Sequence, residues 1–230
     1  MNHIAPVYHD NPSQRTPCML VLDASASMGT PVGGGPRTRI DELNRGLKML
    51  REELHGDQTA AMRVQLAIVS VGGPKGDAEL MLNWTDANDF RPPTLSTGGQ
   101  TPLAHGMRLA LHHVDEQKIE LRKNGIAYTR PWIMVISDGE PTDPPAVWQG
   151  VIEECRIAES AKRCVIFPIG VEDARLDVLQ QLSSTRAARL SGTRFREYFQ
   201  WLSASLQCVS RSRPGDSVAL PATDPWAVFN

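Results

Sequence analysis

Two apolar runs in the sequence are short, uninterrupted and followed almost at once by an aspartate. The first is "CMLVL", residues 18–22, before Asp23, and the second is "WIMVI", residues 132–136, before Ser137 and Asp138. An apolar run of this length without polar alternation is typical of a parallel strand that is covered on both faces. The two runs therefore predict a sheet with helices packed on both of its sides.

Helix-like and strand-like segments alternate along the rest of the chain. Apolar residues at three- and four-residue intervals predict helices at 39–54, 101–120, 145–163, 176–183 and 195–210. Further strands are predicted at 63–72, 78–85, 164–171 and 187–192, the first two as a hairpin around "GGPKGD". This alternation predicts an α/β fold with a doubly wound, mostly parallel central sheet of about six strands and helices on both faces.

The composition restricts the partners of the chain. Its 230 residues, 41% of them apolar, suit one globular domain. Lysine and arginine total 24 against 26 acidic residues, so no overall field favours nucleic acid or an anionic membrane. No stretch approaches the roughly 18 apolar residues of a membrane span, and the N-terminus lacks the pattern of a signal peptide. We therefore expect a cytoplasmic protein that binds neither nucleic acid nor membrane.

The two aspartates are expected to meet at one edge of the sheet. Open parallel sheets bind ligands beyond the carboxyl ends of their strands, at the point where the strand order reverses. In the order 3-2-1-4-5-6 that point lies between the first and the fourth strands, and here these strands run into Asp23 and Asp138. The fold would thus bring together two carboxylates that are far apart in the sequence.

Hydroxyl groups accompany the first aspartate. Asp23, Ser25 and Ser27 alternate with alanines, so in an extended segment their side chains lie on the same side of the chain. Such oxygens suit Mg²⁺, which often takes only one or two carboxylates from a protein. The same segment could instead be a turn and N-cap, with side chains that accept hydrogen bonds from backbone N–H groups. Two adjacent carboxylates would repel each other without a cation, which favours the metal site.

Three motifs resemble the metal-ion-dependent adhesion site of von Willebrand factor A domains. "VLDASASMG" matches the D-x-S-x-S motif of that family, "TPLAHGM" resembles its threonine-bearing loop, and "VISDGEPTD" resembles its second aspartate motif. The resemblance implies a Rossmann-like von Willebrand A fold and a bound Mg²⁺, with Mn²⁺ or Ca²⁺ as alternatives. The residues it implies as metal ligands are Asp23, Ser25, Ser27, Thr101 and Asp138.

One position departs from the pattern of that family. Gln100 stands between the glycine pair and Thr101, where many relatives read Gly-Gly-Thr, so Thr97 is an alternative ligand. The resemblance covers the segment 16–210. We therefore expect residues 1–15 to form an N-terminal extension and residues 211–230 to form a C-terminal tail that runs over the surface.

Three further motifs, "DGEPTD", "GGQTPL" and "FREYFQWLSASL", resemble the bacterial TerY-like branch of that family, which is associated with tellurite resistance. This resemblance implies a scaffold or adaptor in a stress response, with a protein kinase and a PP2C-type phosphatase as candidate partners. A protein partner would supply an acidic residue to the metal ion. On this interpretation the chain is not an enzyme.

A metal-dependent phosphohydrolase is the alternative function. In haloacid-dehalogenase-type phosphatases an aspartate at the end of the first parallel strand is the nucleophile, and Asp23 has the corresponding position. Those enzymes carry D-x-D, in which the second aspartate acts as acid and base. Here Ser25 replaces that second aspartate. The sequence therefore favours a binding protein over this enzyme.

Overall fold

The computed structural model describes residues 11–138, 140–190, 194–223 and 226–228. Its strands are β1 (Thr16–Ala24), β2 (Val64–Gly72), β3 (Asp77–Asp86), β4 (Trp132–Ser137), β5 (Val165–Gly170), β6 (Ala188–Leu190) and β7 (Ala227–Val228). Its α-helices are α1 (Arg39–Gly56), α2 (Gln58–Arg63), α3 (Leu103–Lys123), α4 (Pro145–Ser160), α5 (Leu176–Leu179) and α6 (Phe195–Arg211). Of these helices only α2, a single short turn between α1 and β2, was not predicted.

All seven strands form one sheet in the order β3-β2-β1-β4-β5-β6-β7. Strands β1, β2, β4, β5 and β6 are parallel, whereas β3 pairs antiparallel with β2 as the predicted hairpin. The strand order reverses between β1 and β4, which pair directly from Cys18 and Trp132 to Leu22 and Ile136. The sequence-based fold class is confirmed, and β1 and β4 direct their carboxyl ends to the same edge.

The side chains of β1 alternate between two hydrophobic cores, one on each face of the sheet. Cys18, Leu20 and Leu22 pack with α1 and α6, whereas Met19 and Val21 pack with α3 and α4. This alternation follows from the two-residue period of a strand. Because both faces are covered, every residue of β1 is buried, which explains its continuous apolar sequence.

The C-terminal tail contributes more to the fold than expected. Its residues 227–228 add β7 antiparallel to β6, so the sheet has seven strands rather than about six. Trp226 is buried and lies with its ring centroid 5.0 Å from that of Trp201, whose indole N–H donates to the carbonyl of Pro221 at 2.9 Å. The tail is therefore packed into the core that α1 and α6 form, which the absence of any periodicity in its sequence had concealed.

The N-terminal extension is described only from residue 11 onward, since residues 1–10 lie outside the described residues. Arg15 is fully buried, and its guanidinium pairs with Asp86 at the end of β3.

Within the described residues, no helix combines the length and the apolar character that a membrane span needs.

Candidate metal site

Asp23 lies at the carboxyl end of β1, beside the end of β4. Its Oδ1 accepts a hydrogen bond from the backbone N–H of Ser25 at 2.8 Å, and its Oδ2 accepts one from the Ser137 hydroxyl at 2.5 Å. The residue is only 1% exposed. The turn interpretation is thus partly correct, because one carboxylate oxygen does bind a nearby backbone N–H.

A chain of side-chain oxygens connects the two sequence motifs. The hydroxyl oxygens of Ser25 and Ser27 lie 2.9 Å apart, and the Ser27 hydroxyl donates to Asp138 Oδ1 at 2.7 Å. Ser25 precedes a short 3-10 helix (Ala26–Gly29), yet its side chain makes no capping hydrogen bond to that helix. The hydroxyl of Ser25 therefore faces the other polar side chains instead of acting as an N-cap. Ser25 and Asp138 are buried, whereas Ser27 is exposed and marks the side that opens to solvent.

The loop that carries Thr101 is bound to both motifs through its backbone. The N–H of Ala26 donates to the carbonyl of Gly99 at 3.2 Å, and the N–H of Gly98 donates to the carbonyl of Ala24 at 3.0 Å. On the other side, the Thr101 N–H donates to the Thr142 hydroxyl at 3.1 Å. Thr101 is buried, and these bonds place its loop between the first and the second aspartate motif.

The N-cap position of α3 is occupied by Pro102, which has no side chain that could accept a hydrogen bond from the first turn. The N–H of Ala104 instead donates to the carboxylate of Asp143 at 2.9 Å. This residue follows the second aspartate motif. The cap is therefore supplied by a residue that lies far from α3 in the sequence.

Thr97, the alternative ligand, lies four residues before Thr101 in the same loop. A Cβ atom added to Gly29 would lie 3.4 Å from Thr97 Oγ1, so Thr97 packs against the end of the serine segment. Thr97 is half-buried, whereas Thr101 is buried and bonded to Thr142. The choice between the two threonines as ligand stays a prediction, with Thr101 in the better-fixed position.

Gly72 ends β2 at the point where the three segments meet. Its φ is +82°, and a Cβ atom there would lie 2.5 Å from the carbonyl oxygen of Gln100 and 2.9 Å from Ser25 Cα. Both atoms belong to the backbone, so neither can move away without shifting its loop. Only glycine fits this position.

Gly72→Ala should lower the free energy of unfolding by about 2 kcal/mol or more and also weaken metal binding, because it combines backbone strain with a steric overlap. Gly125→Ala is the matched control, since Gly125 has a similar φ of +68° but open space around it. The control should cost about 1 kcal/mol through strain alone. Urea unfolding and calorimetry would measure both effects, and equal losses in the two variants would contradict the crowding of Gly72.

Charge is unevenly compensated around the two aspartates. Burial raises the pKa of the Asp23 carboxyl above its ordinary value, although the hydrogen bonds from Ser137 and Ser25 oppose the shift. Asp138 Oδ2 accepts a hydrogen bond from Arg39 Nη1 at 2.6 Å, and both of these side chains are nearly inaccessible. Asp23 thus lacks a cationic partner among the described residues, whereas Asp138 has one.

The donor set and two of its spacings are compatible with a small divalent cation. Adjacent ligands of an octahedral ion with bonds near 2.1 Å lie about 3.0 Å apart, and the side-chain oxygens of Ser25 and Ser27 and of Ser27 and Asp138, which are joined by hydrogen bonds, lie 2.9 Å and 2.7 Å apart. Within the described part of the chain there is no cluster of three or more His, Cys, Asp or Glu residues with metal-binding spacing. A site here would depend on hydroxyls and two carboxylates, a donor set suited to Mg²⁺ and not to a thiophilic metal.

Solved structures with this architecture include a von Willebrand factor type A protein, a pilus adhesin and a minor pilin. The chain is similar to a von Willebrand factor type A protein from Catenulispora acidiphila, with a TM-score of 0.62 and 16% identity over 85% of this chain. The chain has a von Willebrand factor A fold. The pilus adhesin SpaC from Lactobacillus rhamnosus GG gives a TM-score of 0.64 at 12% identity, over 86% of this chain. The minor pilin PilB from Streptococcus sanguinis gives 0.58 at 10% identity, over 85% of this chain.

This von Willebrand A fold corresponds to only part of each of those proteins. The chain covers 43% of the Catenulispora chain, 32% of SpaC and 62% of PilB. No protein-family model matches the sequence, and no curated protein matches it. The likeness therefore establishes the fold, while the metal ligands stay a prediction from the motifs and from the geometry of the site.

Sequence reasoning missed three contributors to the site. Ser137 binds Asp23, Asp143 caps α3, and Arg39 pairs with Asp138. Ser137 and Asp143 both flank the second aspartate in "SDGEPTD", so their polar character was visible in the sequence. Gly139 of that motif lies outside the described residues. Arg39 carried a weaker signal, a cation in the first turn of a helix, where positive charge is unfavourable.

Proposed function

We propose that the chain is a magnesium-dependent protein-binding module with a metal-ion-dependent adhesion site. The observation that supports this most strongly is the continuous series of oxygens from Ser25 through Ser27 to Asp138, with Asp23 buried beside it at the switch point of the sheet. Mn²⁺ or Ca²⁺ could replace Mg²⁺ at the same oxygens. The proposed ligands are Asp23, Ser25, Ser27, Thr101 and Asp138.

The balance of charged and neutral oxygens gives the site its proposed role. Three of the five ligands are neutral hydroxyls, and one of the two carboxylates, Asp138, is already paired with Arg39. A bound Mg²⁺ would offer an open coordination position to an anionic oxygen. Exposed Ser27 lies on the side from which an aspartate or glutamate of a partner could approach.

The identity of the partners is a further part of the proposal. The TerY-like motifs support a cytoplasmic scaffold or adaptor in a bacterial stress response similar to tellurite resistance. A protein kinase and a PP2C-type phosphatase are the proposed partners. The near-neutral composition supports recognition of proteins rather than nucleic acids or membranes.

The burial of Asp23 argues against the phosphohydrolase alternative. Both carboxylate oxygens accept hydrogen bonds, and the residue is 1% exposed, so neither oxygen is directed at solvent as a nucleophile would be. We therefore propose that the chain has no catalytic activity. Turnover of a generic phosphoester with Mg²⁺ that disappears in Asp23→Asn would contradict this part of the proposal.

The test combines metal binding with partner capture. Calorimetric titration of MgCl₂ into the EDTA-treated chain should give saturable binding at one site. Pull-down from native bacterial extract should then recover partners with Mg²⁺, lose them with EDTA and regain them when Mg²⁺ is restored. Partners retained unchanged in EDTA would contradict a metal-dependent interaction surface.

A further inference from the structure

Arg39 lies between the candidate metal site and a third carboxylate. Its Nη1 donates to Asp138 Oδ2 at 2.6 Å, and its Nε donates to Glu172 Oε2 at 3.0 Å, with Nη2 bonded to the same oxygen. Asp138 uses its other oxygen, Oδ1, to accept from Ser27. The carboxylate of Asp138 is therefore divided between the hydroxyl series on one side and the guanidinium on the other.

The arrangement has local costs that suggest a role beyond packing. Arg39 is the first residue of α1, where the helix dipole disfavours a positive charge, and it is only 8% exposed. Glu172 has a φ of +49°, an uncommon conformation for a residue other than glycine. An arginine from the Ala188–Leu190 strand, Arg189, donates to the Glu172 carbonyl and helps to hold this conformation. The Arg39 guanidinium is therefore held against Asp138 even though Arg39 opposes the helix dipole and Glu172 has a strained backbone.

The geometry points to Arg39 as an internal counter-cation of the candidate site, which competes with a divalent ion for the charge of Asp138 and so sets the metal affinity. This inference rests on the proposed metal site. Glu172 has the opposite effect, because its carboxylate binds the same guanidinium and reduces the positive charge that Asp138 experiences.

The signs of the two effects follow from charge. With Asp23, Asp138 and Glu172 ionised and Arg39 protonated, these four side chains together carry two net negative charges, and Arg189, which bonds to the Glu172 backbone, is unchanged in every variant. Loss of the guanidinium leaves a more negative cluster and should strengthen cation binding, whereas loss of the Glu172 charge should weaken it. A purely structural brace predicts a different result, since breaking either contact would loosen Asp138 and weaken binding in both variants.

The experiment compares metal affinity in four full-length variants. MgCl₂, and separately MnCl₂, is titrated calorimetrically at one fixed ionic strength into Arg39→Gln, Arg39→Lys, Glu172→Gln and Arg45→Gln. Arg45 is the matched control, because it lies on the same helix, is exposed and pairs with Glu42 away from the aspartates. Thermal unfolding in EDTA establishes that each variant folds.

Arg39→Gln should bind Mg²⁺ about tenfold more tightly than wild type and Glu172→Gln about tenfold more weakly, the effects being limited by partial solvent screening. Arg39→Lys should stay within about threefold because it retains the charge. Arg45→Gln should not differ from wild type.

Equal or weaker binding by a folded Arg39→Gln would overturn the inference and leave the metal site intact. Should Arg39→Gln fail to fold, Glu172→Gln and Arg39→Lys decide together, because a brace predicts weaker binding in both whereas a counter-cation predicts weaker binding only in Glu172→Gln. Unchanged or tighter binding in Glu172→Gln, or a loss in Arg39→Lys as large as that in Glu172→Gln, would then overturn the inference. Absence of Mg²⁺ and Mn²⁺ binding in wild type and in every variant would overturn the proposed metal site itself, and the inference with it.

Discussion

Asp23→Asn should reduce the affinity for Mg²⁺ by about 100-fold, the upper end of the 10- to 100-fold cost that is typical for loss of a residue supporting a metal site, because the change removes a full negative charge. Asp23 carries the only carboxylate of the proposed ligand set that has no cationic partner among the described residues. Its charge is therefore the one that no cation among the described residues already compensates. Calorimetric titration of MgCl₂ into wild type and variant measures the effect.

The same substitution should leave the metal-free protein as stable as wild type or more stable. Burial raises the pKa of Asp23 in the folded chain, which means that the ionised form is disfavoured there and lowers stability at neutral pH. Asparagine removes the buried charge and can still accept the hydrogen bond from the Ser25 N–H. The variant should therefore have the higher melting temperature in EDTA, whereas wild type should have the higher melting temperature in Mg²⁺.

Asp115→Asn is a suitable control for both measurements. Asp115 pairs with Arg163, which precedes β5 and so lies at the opposite edge of the sheet from the candidate site. This variant should bind Mg²⁺ like wild type. A comparable loss of affinity in Asp115→Asn, or wild-type affinity in Asp23→Asn, would show that Asp23 does not carry the site.

The parts of the fold that follow from local pattern could be predicted from the sequence. β1 is apolar from Cys18 to Leu22 and β4 from Trp132 to Ile136 because both faces of each strand are covered, and the doubly wound connection directs their ends to one edge. The Asp23 and Asp138 motifs are therefore expected to meet, and in the structure the Ser27 hydroxyl does donate to Asp138. The strand order was thus sufficient to predict that the two motifs form one site.

The parts that depend on distant contacts could not be predicted in this way. Trp226 is buried against Tyr198 and Trp201, yet its own segment has no period that indicates burial. Arg39 carries only the weak signal of a cation in the first turn of a helix, and its partners, Asp138 and Glu172, lie in distant segments of the chain. Such contacts join segments whose local sequences contain no information about each other.

Ser25→Asp should retain or strengthen Mg²⁺ binding but weaken the capture of a protein partner about tenfold or more, because a third carboxylate would neutralise the ion that the partner's acidic residue must bind. Ser25 is 2% exposed, and its hydroxyl oxygen lies 2.9 Å from that of Ser27, within the series that leads to Asp138. A carboxylate at this position would add negative charge inside the site, not at its rim. Ser25→Ala should weaken both metal binding and partner capture, since it removes an oxygen without adding charge.

The different effects of Ser25→Asp and Ser25→Ala on metal binding and partner capture distinguish a metal ion that binds the partner from one that only stabilises the loops. In EDTA, Ser25→Asp should melt below wild type because its carboxylates repel one another, and Mg²⁺ should raise its melting temperature more than that of wild type. Ser160→Asp is the control, since Ser160 is exposed at the end of α4 and at the opposite edge of the sheet. An added negative charge there should leave Mg²⁺ binding unchanged and shift the melting temperature equally in EDTA and in Mg²⁺. The partner recovered by Mg²⁺-dependent pull-down supplies the second binding assay. If Ser25→Asp captured it as tightly as wild type and still required Mg²⁺, the ion would act as a brace for the three loops, and partner recognition would reside in the loops themselves.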